Sequence, residues 1–436
     1  MRTRFQKQIV LLLPGTLLLA AALSLSGADG RVYVIRDAKV HTLSAAGTLD
    51  RASVVIVDGL ITEVGPSVRA PRGAQVIQGR GLEVYPGMIN AWSNIGLTEI
   101  PSVDVTNDSN EMGSYKPQLM AFAAIHPASE HFPVARVDGV TTSISAPGGG
   151  IIPGQAALLH LDGWTVEEMA VLKSAGMVVD FPSLGGGRGF RGGGFGPAGR
   201  SRPFSELKRE YEKNVKELAE WLEKARHYAK SVEANPAMTR DRELEALVPV
   251  VKGEMLVFLQ ADSARDIRNA VEFGKKEKLK FVIVGGRNAA EAADVLKKEN
   301  VPVLLGSVYS MPAREDDPYD SAYTLPARLA QAGVRFALTS PSSANVRLLP
   351  YEAGMSVAYG LPREEALKAI TVYPAEILGV SDKIGSIEKG KVADLVITDG
   401  DLLEIRTAIK NVFIAGRNIS LESKHTRLYQ EFMNRP

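Results

Sequence analysis

Val84-Tyr85-Pro86-Gly87-Met88-Ile89-Asn90-Ala91-Trp92-Ser93-Asn94-Ile95-Gly96-Leu97 reads as a short buried strand running into a loop bounded by glycine. Its apolar residues form a run rather than an alternation, the pattern of a strand covered on both faces. Working outward from 84–90, seven further runs bounded by Gly and Pro have the same character: 139–146, 155–161, 177–180, 255–260, 281–284, 301–305 and 335–340. Helical periodicity follows several of them. The stretch 263–277 spaces Ile267, Ala270, Val271 and Gly274 for one face, and 289–298 and 323–332 behave alike. Eight strands alternating with helices predict a (β/α)8 barrel of TIM type, in the α/β class. The competing arrangement, an open doubly wound sheet, lacks its usual mark, because no Gly-x-Gly-x-x-Gly opens a helix after the first strand.

The chain has 436 residues, 45% hydrophobic and 23% charged, enough to bury a large core and to carry a smaller domain beside the barrel. Arg2, Arg4 and Lys7 precede an apolar run over 9–23, and Ser26-Gly27-Ala28 places small residues where a signal peptidase needs them. Residues 1–28 are therefore read as a signal peptide, and the mature chain is expected to begin near Asp29 and to be periplasmic or secreted. Pro14 and Gly15 interrupt a run already short for about 30 Å of hydrocarbon, so no stable membrane insertion is expected after processing. Without residues 1–28 the basic count falls from 51 to 48, against 50 acidic residues. That balance supplies no field for nucleic acid or for an anionic membrane surface. The absence of cysteine excludes disulfides, thiolate metal sites and a cysteine nucleophile.

Toward the N-terminus, the runs 31–35, 52–57 and 60–64 read as strands, and Asp58-Gly59 between the last two is a hairpin signal, since both central residues of a type I′ turn need positive φ. A second β segment lies at 385–397, followed by 411–415. Within the middle of the chain, 185–199 is nearly all glycine with Arg188, Phe190, Arg191 and Phe195, too poor in packing side chains to order itself. Arg and Phe among glycines also occur in RNA-binding tails, a reading disfavoured in a near-neutral exported chain, and no Gly-Lys-Ser/Thr makes it a phosphate loop. Next, 203–234 reads as one long helix with Leu207, Tyr211, Val215, Leu218, Leu222, Ala225, Ala229 and Val232 along a seam. That seam packs on the barrel or on a partner helix.

The opening stretch resembles the first barrel strand of the amidohydrolase superfamily, where an apolar strand after Pro-Gly ends in Asp-Ala-His-x-His and the two histidines bind a catalytic metal. Ala369-Ile370-Thr371-Val372-Tyr373-Pro374-Ala375-Glu376-Ile377-Leu378-Gly379-Val380 and Gly385 to Leu395 are similar to the imidazolonepropionase-like branch of that superfamily. The resemblance implies a barrel over 84–380 and a composite β-sandwich built from both chain ends, 29–83 and 381–420, with 421–436 left as a tail. It also implies where metal ligands should stand, and there the sequence departs. The two histidine positions hold Trp92 and Asn94, the fifth-strand histidine position holds Gln260, the sixth-strand run ends in Gly285, and Pro341 follows Ser340 where a catalytic Asp is expected.

Among six histidines, only His160 lies near the end of a proposed strand, and at the fourth strand only Asp180 offers a carboxylate. These two are the weak catalytic candidates; with His126 they would have to form any rebuilt zinc site. Asn110, Glu111 and Gln155 match further stretches of the branch and are expected to line the barrel mouth as loop anchors or ligand contacts. Ser93, Ser307, Ser340, Ser342 and Ser343 lie near strand ends, but no Gly-x-Ser-x-Gly is present and no histidine is placed to activate one. A glycosidase pair would need Asp180 with Glu111 or Asp262. The resulting expectation is a pseudoenzyme without metal or other cofactor, serving as a homo-oligomer, as the partner of a paralogous amidohydrolase subunit, or as a binder of a small neutral ligand. The alternative is an active hydrolase of C–N bonds using zinc at a rebuilt site.

Overall fold

The computed structural model describes residues 32–184, 203–312 and 316–435. The signal-peptide reading of 1–28 and the glycine-rich reading of 185–199 lie outside these residues. Two eight-stranded sheets carry the fold. The first draws on both chain ends: β1 (Val32–His41), β2 (Thr48–Val57), β3 (Leu60–Gly65), β4 (Gln75–Gln78) and β5 (Glu83–Pro86). The second is the barrel, with β6 (Met88–Asn90), β7 (Val140–Ser145), β8 (Gly154–His160), β9 (Ala170–Asp180), β10 (Leu256–Ala261), β11 (Lys280–Gly285), β12 (Val303–Leu305) and β13 (Phe336–Leu338). The chain then returns to the first sheet as β14 (Leu395–Thr398), β15 (Ile409–Ile414) and β16 (Arg417–Asn418).

In the first sheet the order β16-β15-β14-β5-β1-β2-β3, with β4 beside β1, interleaves the two ends of the chain. Alternation decides what each face meets. Tyr33, Ile35, Val54, Ile56, Leu395, Ile397 and Phe413 form one core, whereas Tyr85, Val396, Val412 and Ile414 point the other way and join the barrel's outer core. Tyr33 meets Phe413 edge-on, with ring centroids 5.1 Å apart, although two strands separate theirs, so the sheet curls over its own core. The β2–β3 hairpin turns at Asp58 (φ 49°) and Gly59 (φ 84°), as the Asp-Gly signal requires. At Gly87 the chain steps from this sheet into the barrel. A Cβ there would lie 2.3 Å from Thr141 Oγ1, so only glycine permits the crossing. The run 84–90 is therefore two strands: Val84-Tyr85-Pro86 belong to the composite sheet, and the barrel begins at Met88.

All eight runs proposed for the barrel contain strands, in the spatial order of the sequence. One departs from a uniform (β/α)8 ring: β8 is antiparallel to both β7 and β9. The cause is the connection. Only residues 146–153, including Pro147-Gly148-Gly149-Gly150, lie between β7 and β8, and a parallel crossover needs about a dozen residues. Between β6 and β13 the ring is joined by a side chain. Buried Asn90 accepts from Ser340 N–H at 2.8 Å and donates to Ser340 C=O at 3.1 Å, taking the place of a strand's paired amide groups. Asn94 extends this seam, accepting from Ser343 N–H at 2.8 Å and donating to Thr98 Oγ1 at 3.0 Å.

The helix Phe204–Ala234 buries Leu218, Leu222 and Ala225 in the barrel's outer core, and Trp221 stacks on Tyr115. Its seam is thus covered within the chain, and a partner helix is not required to explain it. The expected tail contains a further helix, Lys424–Met433, started by a capping box between Ser423 and Thr426. Among the described residues no helix is long and apolar enough to cross a membrane.

Candidate site at the barrel mouth

The barrel interior is lined by Ile89, Ile144, Leu158, Val178, Phe258, Val282, Leu304 and Ala337. By alternation, the inward positions two residues nearer the mouth on β9, β10 and β11 are Asp180, Gln260 and Val284. Asp180 and Gln260 are neighbours in register. Trp92, just beyond β6, packs on this interior cluster, and its indole lies 5.3 Å from the Phe258 ring. In the order of eight strands β6 and β10 stand opposite each other, so the indole reaches across the lumen.

The other substituted positions separate. Asn94 turns to the seam, Gly285 and Pro341 present no side-chain donor, and Gln260 remains as a neutral amide. A divalent ion that must hold and acidify a water is bound by imidazole or anionic groups. With one carboxylate and one inward amide, these residues do not fit such an ion. Among the described residues no group of three or more His, Asp or Glu is placed to hold a metal.

His160 is corrected by the reversal of β8. Since β8 runs downward, its last residue lies opposite Thr142 near the start of β7, at the floor of the barrel, while Asp180 ends β9 at the mouth. The rebuilt site of His160, His126 and Asp180 is therefore not assembled; His126 sits on an exposed loop, its backbone N–H on Gly96 C=O. His160 instead faces Asp394 of the composite sheet, Nε2 to Oδ2 at 3.1 Å. The contact is within ion-pair distance but too poorly aligned for a hydrogen bond. Burial opposes protonation of the imidazole, yet Asp394 prevails and its pKa is raised. Beside it Asp162 binds Arg136 at 2.6 Å and Arg417 at 2.8 Å, so this cluster joins the floor of the barrel to the sheet.

The stretches that carry Asn110, Glu111 and Gln155 are tied to neighbouring loops. The backbone of Asn110 bridges to Gly148, Glu111 C=O accepts from buried Lys116 Nζ at 2.5 Å, and Gln155 Nε2 donates to Pro117 C=O at 3.0 Å. Three of the serines are similarly engaged: Ser93 Oγ donates to Ile144 C=O at 2.7 Å, Ser340 Oγ to Asn345 C=O at 2.7 Å and Ser307 Oγ to Glu352, whereas the buried Ser343 Oγ has no hydrogen-bond partner among the described residues. A carboxylate absent from the candidate set, Glu352, lies 1% exposed behind the ends of β12 and β13. Burial pushes its carboxyl up to about 7 against the donors Ser307 Oγ at 2.6 Å and Val308 N–H at 2.7 Å. Those donors make it an anchor for the loop after β12. Its sequence signal is a charge on the helix face that also carries Leu349 and Ala353.

Comparison with known proteins agrees with this architecture. The model of the Amidohydrolase family matches residues 214–419. Over 392 residues the chain is 23% identical to Amidohydrolase tasK of Hapsidospora irregularis, covering 83% of this chain and 39% of that protein. Over 108 residues it is 38% identical to an imidazolonepropionase of Sphingopyxis alaskensis, covering 24% of this chain and 26% of that protein. This chain thus spans well under two thirds of either relative's length. The crystal structure of an amidohydrolase from Thermotoga maritima shares the fold, with a TM-score of 0.77 at 23% identity over 89% of this chain and 99% of that one. The mixed eight-stranded barrel and the sheet made from both chain ends give this chain the fold of the amidohydrolase superfamily, whose family model matches its residues 214–419.

Proposed function

We propose that this protein is a pseudoenzyme of the superfamily, a binding or partner subunit that keeps the hydrolase fold without its metal chemistry. The observation that carries the reading is Trp92, whose indole lies against Phe258 in the lumen, where a metal and its substrate would need room. The donor set around it supports the same reading, because one carboxylate and neutral amides cannot offset a divalent charge. The barrel would then act as a scaffold for a second copy or for a paralogous amidohydrolase subunit, or offer the Trp92 face to a small neutral ligand. We place the mature protein in the periplasm or outside the cell, on the strength of the basic, apolar and small-residue segments of 1–28; mass spectrometry finding an intact Met1 would sink that part. The functional reading is tested on purified protein by zinc content and by chelator-sensitive hydrolysis of amide, lactam and dipeptide substrates. Neither is expected. Turnover abolished by a chelator and by Asp180→Asn would establish the alternative, an active C–N hydrolase.

A further inference from the structure

The composite sheet carries a charged cleft of its own, lined by residues of 36–80. It is an open groove of about 540 Å³, and three guanidinium groups, Arg36, Arg51 and Arg80, share its lining with a single carboxylate, Asp37. The backbone builds this arrangement. A bulge in the β1–β2 pairing between Ile35 and Ala38 puts Asp37 at φ 63°, a conformation that a non-glycine residue adopts only when its surroundings hold it. Arg51 then grips Asp37 with two groups, Nε to Oδ1 at 3.1 Å and Nη2 to Oδ2 at 3.3 Å. Arg80 adds Nη2 to Oδ2 at 3.3 Å, brought alongside by the bond from Gly79 N–H to Arg36 C=O at 2.7 Å.

Each guanidinium has five N–H donors in a planar fork. Arg51 uses two on Asp37, Arg80 uses one, and Arg36 has no carboxylate partner among the described residues. The cleft therefore keeps a surplus of two positive charges and most of its donors, in a mature chain that is otherwise close to neutral. A doubly charged oxyanion matches that surplus, and arginine forks match its oxygens. A phosphate group alone would leave much of the volume empty. Pro66 and Val68 on the same lining provide apolar surface for an attached organic part.

We infer that the cleft framed by Arg36, Asp37, Arg51 and Arg80 is a binding site for a phosphate monoester group, with Asp37 acting to hold two of the arginines in position. A soluble phosphorylated molecule and phosphatidic acid, a membrane phosphate monoester, share this chemistry. Calorimetric titration of the purified full chain at low salt with glycerol 2-phosphate tests the site, and co-sedimentation with phosphatidylcholine vesicles with or without phosphatidic acid separates the two sources. Saturable binding of glycerol 2-phosphate is expected, weakened about tenfold by Arg36→Gln or Arg80→Gln and unchanged by Arg268→Gln, which alters a distant arginine. Circular dichroism of each variant confirms that these exposed substitutions leave the fold intact. Sedimentation only with vesicles that contain phosphatidic acid, reversed by glycerol 2-phosphate, would identify a headgroup; its absence alongside soluble binding would identify a small molecule. No saturable binding to the wild type, or equal binding by the Arg36→Gln/Arg80→Gln double variant, would overturn the assignment.

Discussion

Replacing Asn90 tests whether a side chain closes the barrel. The residue is fully buried, and its amide is shared among Ser340 N–H, Ser340 C=O, Ser143 Oγ and Trp92 C=O, at 2.8 to 3.3 Å. Asn90→Ala strands the Ser340 N–H and C=O in the interior. At about 1–3 kcal/mol for each of the two unsatisfied groups, the expected loss is about 2–6 kcal/mol of unfolding free energy, a large part of a typical domain's stability. Asn90→Asp keeps the shape and the acceptor for Ser340 N–H but turns a second oxygen toward three former acceptors. Its carboxyl should be held protonated, with a folded pKa above the ordinary value of about 3.9. The sign then follows: below that value both states are protonated and the variant is least impaired. As pH rises the unfolded chain ionises first, so the deficit relative to wild type grows until the folded pKa is passed. Urea unfolding of wild type and both variants from pH 4 to 8 measures this, and hydrogen exchange at the Ser340 amide reports the seam directly. A loss within about 0.5 kcal/mol for Asn90→Ala, or an Asn90→Asp deficit that does not change with pH, would refute the clamp.

Two further outcomes follow from the barrel's floor and lumen. Because the pKa of His160 is raised against Asp394, its pairing contributes stability that is fully present below about pH 6.5 and is lost as pH rises through the higher folded value; the stability difference between wild type and His160→Gln should therefore shrink across that window, by at most about 1.4 kcal/mol per pH unit, and a difference flat from pH 5 to 9 would contradict the pairing. Trp92→Ala should cost about 3 kcal/mol and open a lumen that indole refills, raising the melting temperature of the variant but not of the wild type; an unchanged melting temperature in the variant would show that Trp92 does not fill the barrel.

The eight barrel strands were legible because each is a compact apolar run between Gly and Pro, and the return of the chain to its first sheet was legible through the resemblance of both ends to composite-domain segments. The reversal of β8 was also written in the sequence, in the short Gly- and Pro-rich connection 146–153, but the expectation of regular strand-helix alternation hid it. That one reversal carried His160 from the mouth to the floor and dissolved the rebuilt metal site. Asn90 was visible as an amide where an acid stands in active relatives, yet its partner Ser340 lies 250 residues away, and no local pattern announces such a bond. Glu352 was missed for a related reason, since its burial depends on the loop after β12 folding back onto its helix. Trp92 was the most legible part of the site: a bulky aromatic at an inward-facing strand end has few places to go other than the lumen.

The most direct measurement is the zinc content of the purified protein, by inductively coupled plasma mass spectrometry, after incubation with excess zinc and dialysis against metal-free buffer. Because no group of three or more His, Asp or Glu among the described residues is placed to hold a metal, retained zinc should stay below about 0.1 equivalent per chain, and Asp180→Asn should leave that value unchanged. About one equivalent of zinc, retained through dialysis and lost in Asp180→Asn, would contradict the reading of the barrel as a site without metal chemistry.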